Sequence, residues 1–210
     1  MFILINNERE ASVKKLVMLM IALFISASSF LYSQDVEKNQ AELIRPALII
    51  IDIQKQFLSW IPEHDLKIAR EYINAYIAVF RKKNLPIIRV YHTDPGYGPH
   101  PDSAGFQYPE EIQIKPDDPM VIKNYASSFK KTNLHEILQE KKCNTLFLCG
   151  LSAVGCVIST HFAAQDLDYK VFMLKDAILS HNSTYTDNIE VMFGALGYEV
   201  TSLLLDQVKK

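Results

Sequence analysis

The chain has 210 residues, of which 49% are hydrophobic and 22% charged, and its formal net charge is −2. This composition is typical of a globular protein rather than a disordered or fibrous one. Phosphate binding needs a concentrated basic surface, and no clustered run of Lys and Arg occurs here. We therefore expect a small-molecule ligand and no nucleic acid.

The N-terminal segment differs from the rest of the chain. Lys14 and Lys15 precede an apolar run over 16–25, and small residues follow at 26–29. A basic start, an apolar centre and small residues are typical of a secretory signal peptide, which would be cut after Ser33. We therefore predict export to the periplasm or the medium.

An uncleaved anchor is the alternative, because residues 16–32 are just long enough to cross a bilayer. The predicted organisation is a leader over 1–34, a linker over 35–45 and one folded domain over 46–210. No membrane contact is expected once the leader is removed.

Short apolar runs alternate with helical patterns along the folded domain. Strands are predicted at 47–51, 87–91, 120–122, 145–149, 170–174 and 199–204, and helices at 66–83, 133–141, 153–167 and 186–196. The Pro- and Gly-rich stretch 93–118 is predicted to be a long loop. Such alternation indicates an α/β fold with three layers, in which helices cover both faces of a mainly parallel, Rossmann-like sheet of roughly six strands.

Four reactive side chains lie at or just beyond the carboxyl ends of predicted strands, where open α/β sheets bind their ligands. They are Asp52, His92, Lys123 and Cys156. Each type of residue has a bland alternative, since an aspartate at a strand end is often a turn former and a lysine is usually a solvated charge. Three of them, Asp52, Lys123 and Cys156, form a chemically coherent set that indicates a catalytic site.

Cys156 follows a buried strand and a Gly-containing turn, and the pattern places it at the start of a helix. The partial positive charge of a helix N-terminus is expected to lower the pKa of such a thiol. Asp52 would take the thiol proton and return it to a leaving amine, while Lys123 would stabilise both anions. Cys149 is expected to be a buried, inert thiol, Cys143 shows no specific pattern, and no disulfide framework is predicted.

Three segments resemble the isochorismatase-like cysteine hydrolases, a family that includes nicotinamidases and N-carbamoylsarcosine amidohydrolase. The similar segments are Asp52-Ile53-Gln54-Lys55-Gln56-Phe57, then Lys123 to Phe129 with Thr132 and Leu134, and finally Gly150 to Val157 with Thr160. Lys175-Asp176-Ala177 also fits the family's pattern. The resemblance runs from about 47 to 177.

The resemblance implies an Asp52, Lys123 and Cys156 triad, with Asp52 as general base and acid, Lys123 as its electrostatic partner and Cys156 as nucleophile. It also implies a cis peptide between Leu151 and Ser152, and an oxyanion hole formed by the backbone N–H groups of Ser152 and Cys156. Family members that cleave the vinyl ether of isochorismate lack this cysteine, so the resemblance points to hydrolysis of a C–N bond in a carboxamide, ureido or carbamoyl compound.

No metal or other cofactor is expected. Nicotinamidases of the family carry an Asp-x-His pair after the second strand, and here Val90 stands at the aspartate position while His92 is kept. His92 and His100 are the weak candidates for metal ligands, but two histidines on a loop do not define a site.

Four residues are predicted to bind the substrate. Phe57, Trp60 and Tyr97 offer aromatic surfaces, although Phe57 is equally compatible with a place in the core. Gln54 would either orient Asp52 or bond to nearby backbone groups.

Two other functions stay open at this point. One is isochorismatase-type vinyl-ether hydrolysis by Asp52 alone, and the other is an inactive secreted domain that binds a ligand. Assembly into a homo-oligomer is also open, and the substrate is not named by any motif in the long loop.

Overall fold

The structure is a computed structural model, and it describes residues 15, 18–21, 23–26, 28, 43–96 and 98–208. The chain divides into two units, Met1–Leu43 and Ile44–Lys210. The described residues between 15 and 28 are helical. Most of the predicted leader, its cleavage site at Ser33 and nearly all of the linker lie outside the described residues. Within the described part of the chain, no helix has the length and apolarity needed to span a membrane.

A parallel sheet forms the centre of the second unit. Its five strands are β1 (Pro46–Ile51), β2 (Ile87–His92), β3 (Met120–Lys123), β4 (Thr145–Leu151) and β5 (Lys170–Leu179). They lie in the order β3-β2-β1-β4-β5, and every neighbouring pair is parallel. The predicted α/β class and parallel sheet are therefore confirmed.

Helices cover both faces of this sheet. They are α1 (Lys55–Leu58), α2 (Glu63–Lys82), α3 (Leu134–Glu140), α4 (Ile158–Gln165), α5 (Ser183–Met192) and α6 (Tyr198–Asp206). Side chains of β1 alternate between the two faces, so Leu48 and Ile50 pack in a core with α2 and α6, while Ala47, Ile49 and Ile51 pack with α3, α4 and α5. Every residue of β1 is buried, as expected for a central parallel strand.

The predicted sixth strand, 199–204, is wrong, because this segment lies within α6. Its buried residues Thr201 and Leu205 are four apart, and Tyr198 packs on Tyr76 of α2 with ring centroids 5.6 Å apart. Val200 and Leu203 are exposed. This is helical spacing, and the local β propensity of valine and threonine was overridden by packing against α2.

An ion pair anchors the end of the long loop that follows β2. Arg81 on α2 donates to both carboxylate oxygens of Asp118, at 2.8 and 2.9 Å, and the Lys115 N–H donates to the same carboxylate at 2.7 Å. Arg89 of β2 donates to the Asp118 carbonyl at 2.7 Å. Burial alone would raise the pKa of Asp118, but these hydrogen bonds and charges outweigh it and lower the pKa.

We expect Asp118→Asn to lower the free energy of unfolding by about 1 to 2 kcal/mol at pH 7, because the partly buried Arg81 guanidinium loses its buried anionic partner. A carboxyl group whose folded pKa is lowered stabilises the protein above its unfolded pKa and loses that effect as pH falls through the folded value. The difference from wild type, measured by urea unfolding, should therefore shrink below about pH 4.

Asp206→Asn is the matched control for this change. Asp206 pairs with Lys83 at 2.7 Å but is exposed, so its loss should have no measurable effect. Equal destabilisation in both variants, or a difference for Asp118→Asn that does not change with pH, would contradict the expectation.

Candidate active site

The four reactive side chains predicted at strand ends meet at the carboxyl edge of the sheet. Asp52 directly follows β1, in the left-handed region with φ 54°, and its N–H still donates to the Val90 carbonyl of β2 at 2.9 Å. His92 and Lys123 end β2 and β3 and are register partners. Cys156 follows β4. Neighbouring parallel strands thus bring together residues that are up to 104 positions apart in the sequence.

A glycine allows β4 to pass close to β1 just before the site. Gly150 has φ 112°, and a Cβ atom there would lie 2.0 Å from the carbonyl oxygen of Ile51. Only glycine combines this backbone conformation with so close an approach. The peptide bond between Leu151 and Ser152 is cis, which confirms the expectation from the family resemblance.

The turn that carries Cys156 is wider than predicted. Ala153–Val157 form a π-helical turn, and α4 begins only at Ile158. The Ser152 carbonyl accepts from the N–H groups of Gly155, at 2.9 Å, and of Val157, at 3.1 Å. Cys156 therefore lies inside this turn and not at the N-terminus of a regular α-helix. π-helical turns of this kind are frequent at functional sites.

The Lys123 ammonium group is the centre of the site. Its Nζ lies 2.7 Å from Asp52 Oδ2, 3.1 Å from His92 Nδ1 and 3.2 Å from Cys156 Sγ. Lys123 and Asp52 are each about 1% exposed. An ammonium group has three donors and no acceptor, so these three contacts use its full donor capacity. A buried charge so completely bonded holds the three side chains around it in place.

Burial has the largest effect on the pKa values of Asp52 and Cys156. It raises the pKa of Asp52, and the nearby Lys123 charge opposes this shift. It also raises the pKa of Cys156 to about 12, an effect that Asp52 reinforces and Lys123 opposes. The expected lowering of the thiol pKa by a helix N-terminus is therefore wrong. A thiol with a raised pKa would need a base to take its proton before it could act as a nucleophile.

Asp52 has one carboxylate oxygen that is left unpaired among the described residues. Its Oδ1 is buried and, within the described part of the chain, has no hydrogen-bond partner. The carboxylate, a ring nitrogen of His92 and Cys156 Sγ all lie within 4.8 Å of one another. One carboxylate oxygen thus binds Lys123 while the other keeps a lone pair for a proton.

A cavity of about 220 Å³ opens onto these groups. It is lined by Asp52, Phe57, Trp60, Ile61, His92, Leu151, Ser152, Cys156 and His181. The Phe57 ring lies 5.9 Å from that of Trp60 and 6.0 Å edge-on from that of His92, measured between centroids. Pockets for drug-sized ligands hold roughly 300 to 1,000 Å³, so this smaller volume suits a ligand below that size.

Three lining residues were not predicted from the sequence to line the site. Leu151 ends β4, and Ile61 follows α1 in a position with no distinguishing pattern. His181 comes just after the carboxyl end of β5, so the strand-end rule that found Asp52 and His92 would also have found it.

Other predicted site residues lie elsewhere. Gln54 is fully buried, and its amide accepts from the His92 N–H at 2.7 Å and donates to the His92 carbonyl at 2.9 Å. Gln54 was predicted either to orient Asp52 or to bond to nearby backbone groups, and in the structure it bonds to the backbone. His100 is exposed beside Asp102 and does not line the cavity. Tyr97 lies outside the described residues.

The group formed by Asp52, His92 and Cys156 has donor atoms that a metal ion could use. However, the Lys123 ammonium lies within hydrogen-bond distance of all three. A divalent cation bound by the same atoms would sit against a buried positive charge with no further anion to offset it. The residues present therefore do not fit a metal ion at this position.

Comparison with known proteins agrees with this geometry. The Isochorismatase domain family model matches residues 46–203. An uncharacterized isochorismatase family protein of Bacillus subtilis is 30% identical over 68% of this chain and 81% of its own, and a secreted isochorismatase effector of Verticillium dahliae is 28% identical over 72% and 81%. The crystal structure of N-carbamoylsarcosine amidase from Thermoplasma acidophilum superposes with a TM-score of 0.64 at 25% identity, covering 73% of this chain and 95% of the amidase. The chain therefore belongs to the isochorismatase family and is a hydrolase of that family.

Proposed function

We propose that this hydrolase is a cysteine-dependent amidohydrolase that cleaves a C–N bond of a small carboxamide, ureido or carbamoyl compound. The observation that carries the proposal is the position of Lys123 Nζ between Asp52 Oδ2, at 2.7 Å, and Cys156 Sγ, at 3.2 Å. A thiol, a carboxylate and a cation in mutual contact at the end of a cavity are the groups that acyl transfer to sulfur requires.

In the proposed reaction, Cys156 Sγ attacks the carbonyl carbon while the thiol proton passes to Asp52 Oδ1. Collapse of the tetrahedral adduct breaks the C–N bond, and the proton on Asp52 goes to the departing ammonia or amine. Water then attacks the thioester, giving its proton to Asp52, which returns it to the sulfur as the acid leaves. The sum is amide plus water to carboxylic acid plus ammonia or amine.

The Lys123 charge lies where it stabilises the anionic sulfur and the carboxylate in turn. The N–H groups of Ser152 and Cys156 are proposed as the oxyanion hole, because both residues line the cavity, Ser152 just before the turn and Cys156 within it. Phe57 and Trp60 are proposed to hold the body of the substrate.

The charge of the cavity favours an uncharged substrate. No lysine or arginine occurs among the described residues that line it, and the buried Lys123 behind it already uses its three donors. Isochorismate carries two carboxylates, which would meet apolar walls without a counter-charge. The missing counter-charge, together with the position of Cys156 in the cavity wall, favours amide hydrolysis over vinyl-ether chemistry.

Export is part of the proposal. It rests on the basic, apolar and small-residue order of residues 1–34, and a relative at 28% identity is named as a secreted effector. The hydrolase domain is proposed to occupy 46–210, after the linker over 35–45.

The test is release of ammonia by the full chain across carboxamides, ureido and carbamoyl compounds, with isochorismate measured in parallel. We expect turnover of at least one uncharged amide, and a mass increase equal to the acyl group on Cys156 when the reaction is quenched. Turnover of isochorismate with no acyl adduct would support the Asp52 alternative. A folded protein that turns over nothing would favour the binding domain.

A further inference from the structure

The protonation of His92 follows from its contact with Lys123. Lys123 Nζ lies 3.1 Å from His92 Nδ1, and an ammonium group only donates hydrogen bonds. Nδ1 must therefore accept with its lone pair. A neutral imidazole whose Nδ1 accepts carries its proton on Nε2.

The imidazolium form is disfavoured at the same position. Burial lowers the pKa of His92, and the Lys123 charge lowers it further, against smaller opposing effects of Asp52 and Asp94. A proton on Nδ1 would also point at the ammonium group 3.1 Å away. The ring is thus held neutral and in one tautomer.

The orientation of the ring is as closely defined as its protonation. The fully buried Gln54, two residues after Asp52, bonds to both the N–H and the carbonyl of His92, so the segment that follows β1 fixes the backbone of His92. One ring nitrogen is bonded to Lys123, and the ring lies edge-on to Phe57. His92 also lines the cavity, and its Nε2 makes no hydrogen bond to any residue that the structure describes.

We propose that His92 is a substrate-binding residue that presents a fixed Nε2–H donor to the cavity, and that the substrate is an uncharged carboxamide carrying a second hydrogen-bond acceptor beyond the amide that is cleaved. This proposal rests on the proposed function for its chemistry. The tautomer itself does not, because Lys123 imposes it in the resting protein. A ring nitrogen, an ether oxygen or a second carbonyl would supply the acceptor.

Two substitutions separate the two ring nitrogens. The Oδ1 atom of asparagine lies as many bonds from Cβ as Nδ1 of histidine, and the Nε2 atom of glutamine as many as histidine Nε2. His92→Asn therefore keeps an acceptor for Lys123 and loses the donor to the cavity. His92→Gln keeps a donor to the cavity and loses the acceptor.

The measured quantity is the ratio of kcat/KM for an acceptor-bearing substrate to kcat/KM for one without the acceptor. A purely structural role of His92 would leave this ratio unchanged. The probes are benzamide and its ring-nitrogen isosteres picolinamide, nicotinamide and isonicotinamide. We expect one isostere to exceed benzamide in kcat/KM by about five- to tenfold, which is the gain that one additional neutral hydrogen bond accounts for. His92→Asn should abolish that preference, whereas His92→Gln should keep it while lowering kcat/KM for all four probes together.

Two further measurements make each outcome decisive. Long-range ¹H–¹⁵N correlation spectra of the resting protein, with His92 assigned by its absence in His92→Asn, should show an unprotonated Nδ1 and a protonated Nε2. The opposite tautomer or an imidazolium would overturn the proposal even if ammonia release succeeds. If no probe is turned over, binding to Cys156→Ala decides: equal affinity for benzamide and all three isosteres, or no binding, overturns the assignment of the donor.

Discussion

Replacing Cys156 by alanine is expected to lower kcat/KM for the best amide substrate by at least about 10⁴-fold, because the atom that forms the thioester is removed. The fold should be retained, since the side chain is partly exposed at the cavity and not part of the close-packed centre of the sheet. Ammonia release and the acyl adduct in the mass spectrum should disappear together. Binding of substrate should remain, because the walls formed by Phe57 and Trp60 are unchanged.

The other two cysteines supply matched controls with the same chemical change. Cys143 and Cys149 are buried, and burial raises the pKa of Cys143 to about 11 and that of Cys149 still further. Cys143→Ala and Cys149→Ala should keep turnover within about twofold, at a cost of roughly 1 kcal/mol in stability for each lost sulfur. Alkylation by iodoacetamide should modify Cys156 first, because its side chain is partly exposed and the other two are buried. Full ammonia release by Cys156→Ala would contradict the thioester mechanism.

Removing the charge of Lys123 is expected to damage both stability and activity. Lys123→Met leaves Asp52, about 1% exposed, without its counter-ion, and losing one partner of a buried pair typically costs about 3 to 5 kcal/mol. Part of that cost will be relieved by protonation of Asp52, whose pKa burial already raises. The protonated carboxyl cannot take the thiol proton, so we expect kcat/KM to fall by about 10³-fold or more.

The double variant Asp52→Asn with Lys123→Met distinguishes these effects. Two neutral side chains no longer leave an isolated charge, so its free energy of unfolding should exceed that of Lys123→Met by about 1 to 3 kcal/mol, while activity remains absent. Urea unfolding of wild type, both single variants and the double variant completes the cycle. Additive losses of stability would mean that Asp52 and Lys123 do not interact in the folded protein, contrary to the 2.7 Å contact.

The position of a residue in the cavity decides which effect its substitution should have. Asp52 at the base of the cavity is buried and Cys156 is partly exposed, whereas Trp60 and His181 at its opening are exposed. Substitutions at the opening should therefore alter which amide is accepted, and substitutions at the base should alter whether any amide is cleaved. His92 belongs to both parts, because it contacts Lys123 and lines the cavity.

Much of the fold was readable from the chain because local patterns and long-range packing agree there. The apolar run of β1 and the helical spacing of α2 specify their elements by themselves, and parallel alternation then places strand ends on one edge. The segment 199–204 shows where this fails. Its side chains suit a strand, and only contact with α2 makes it the helix α6.

The sequence alone predicted Asp52, Lys123 and Cys156 as the reactive set, through their residue types, their positions after strands and the resemblance to the family's motifs. Only the tertiary structure decided the state of those groups. The raised pKa of the Cys156 thiol, the clamp of Gln54 on His92 and the tautomer that Lys123 imposes all depend on burial and on distances of about 3 Å between segments remote in the chain. Such effects arise from solvent exclusion and three-dimensional proximity, and neither is encoded in the spacing of residues along one strand or helix.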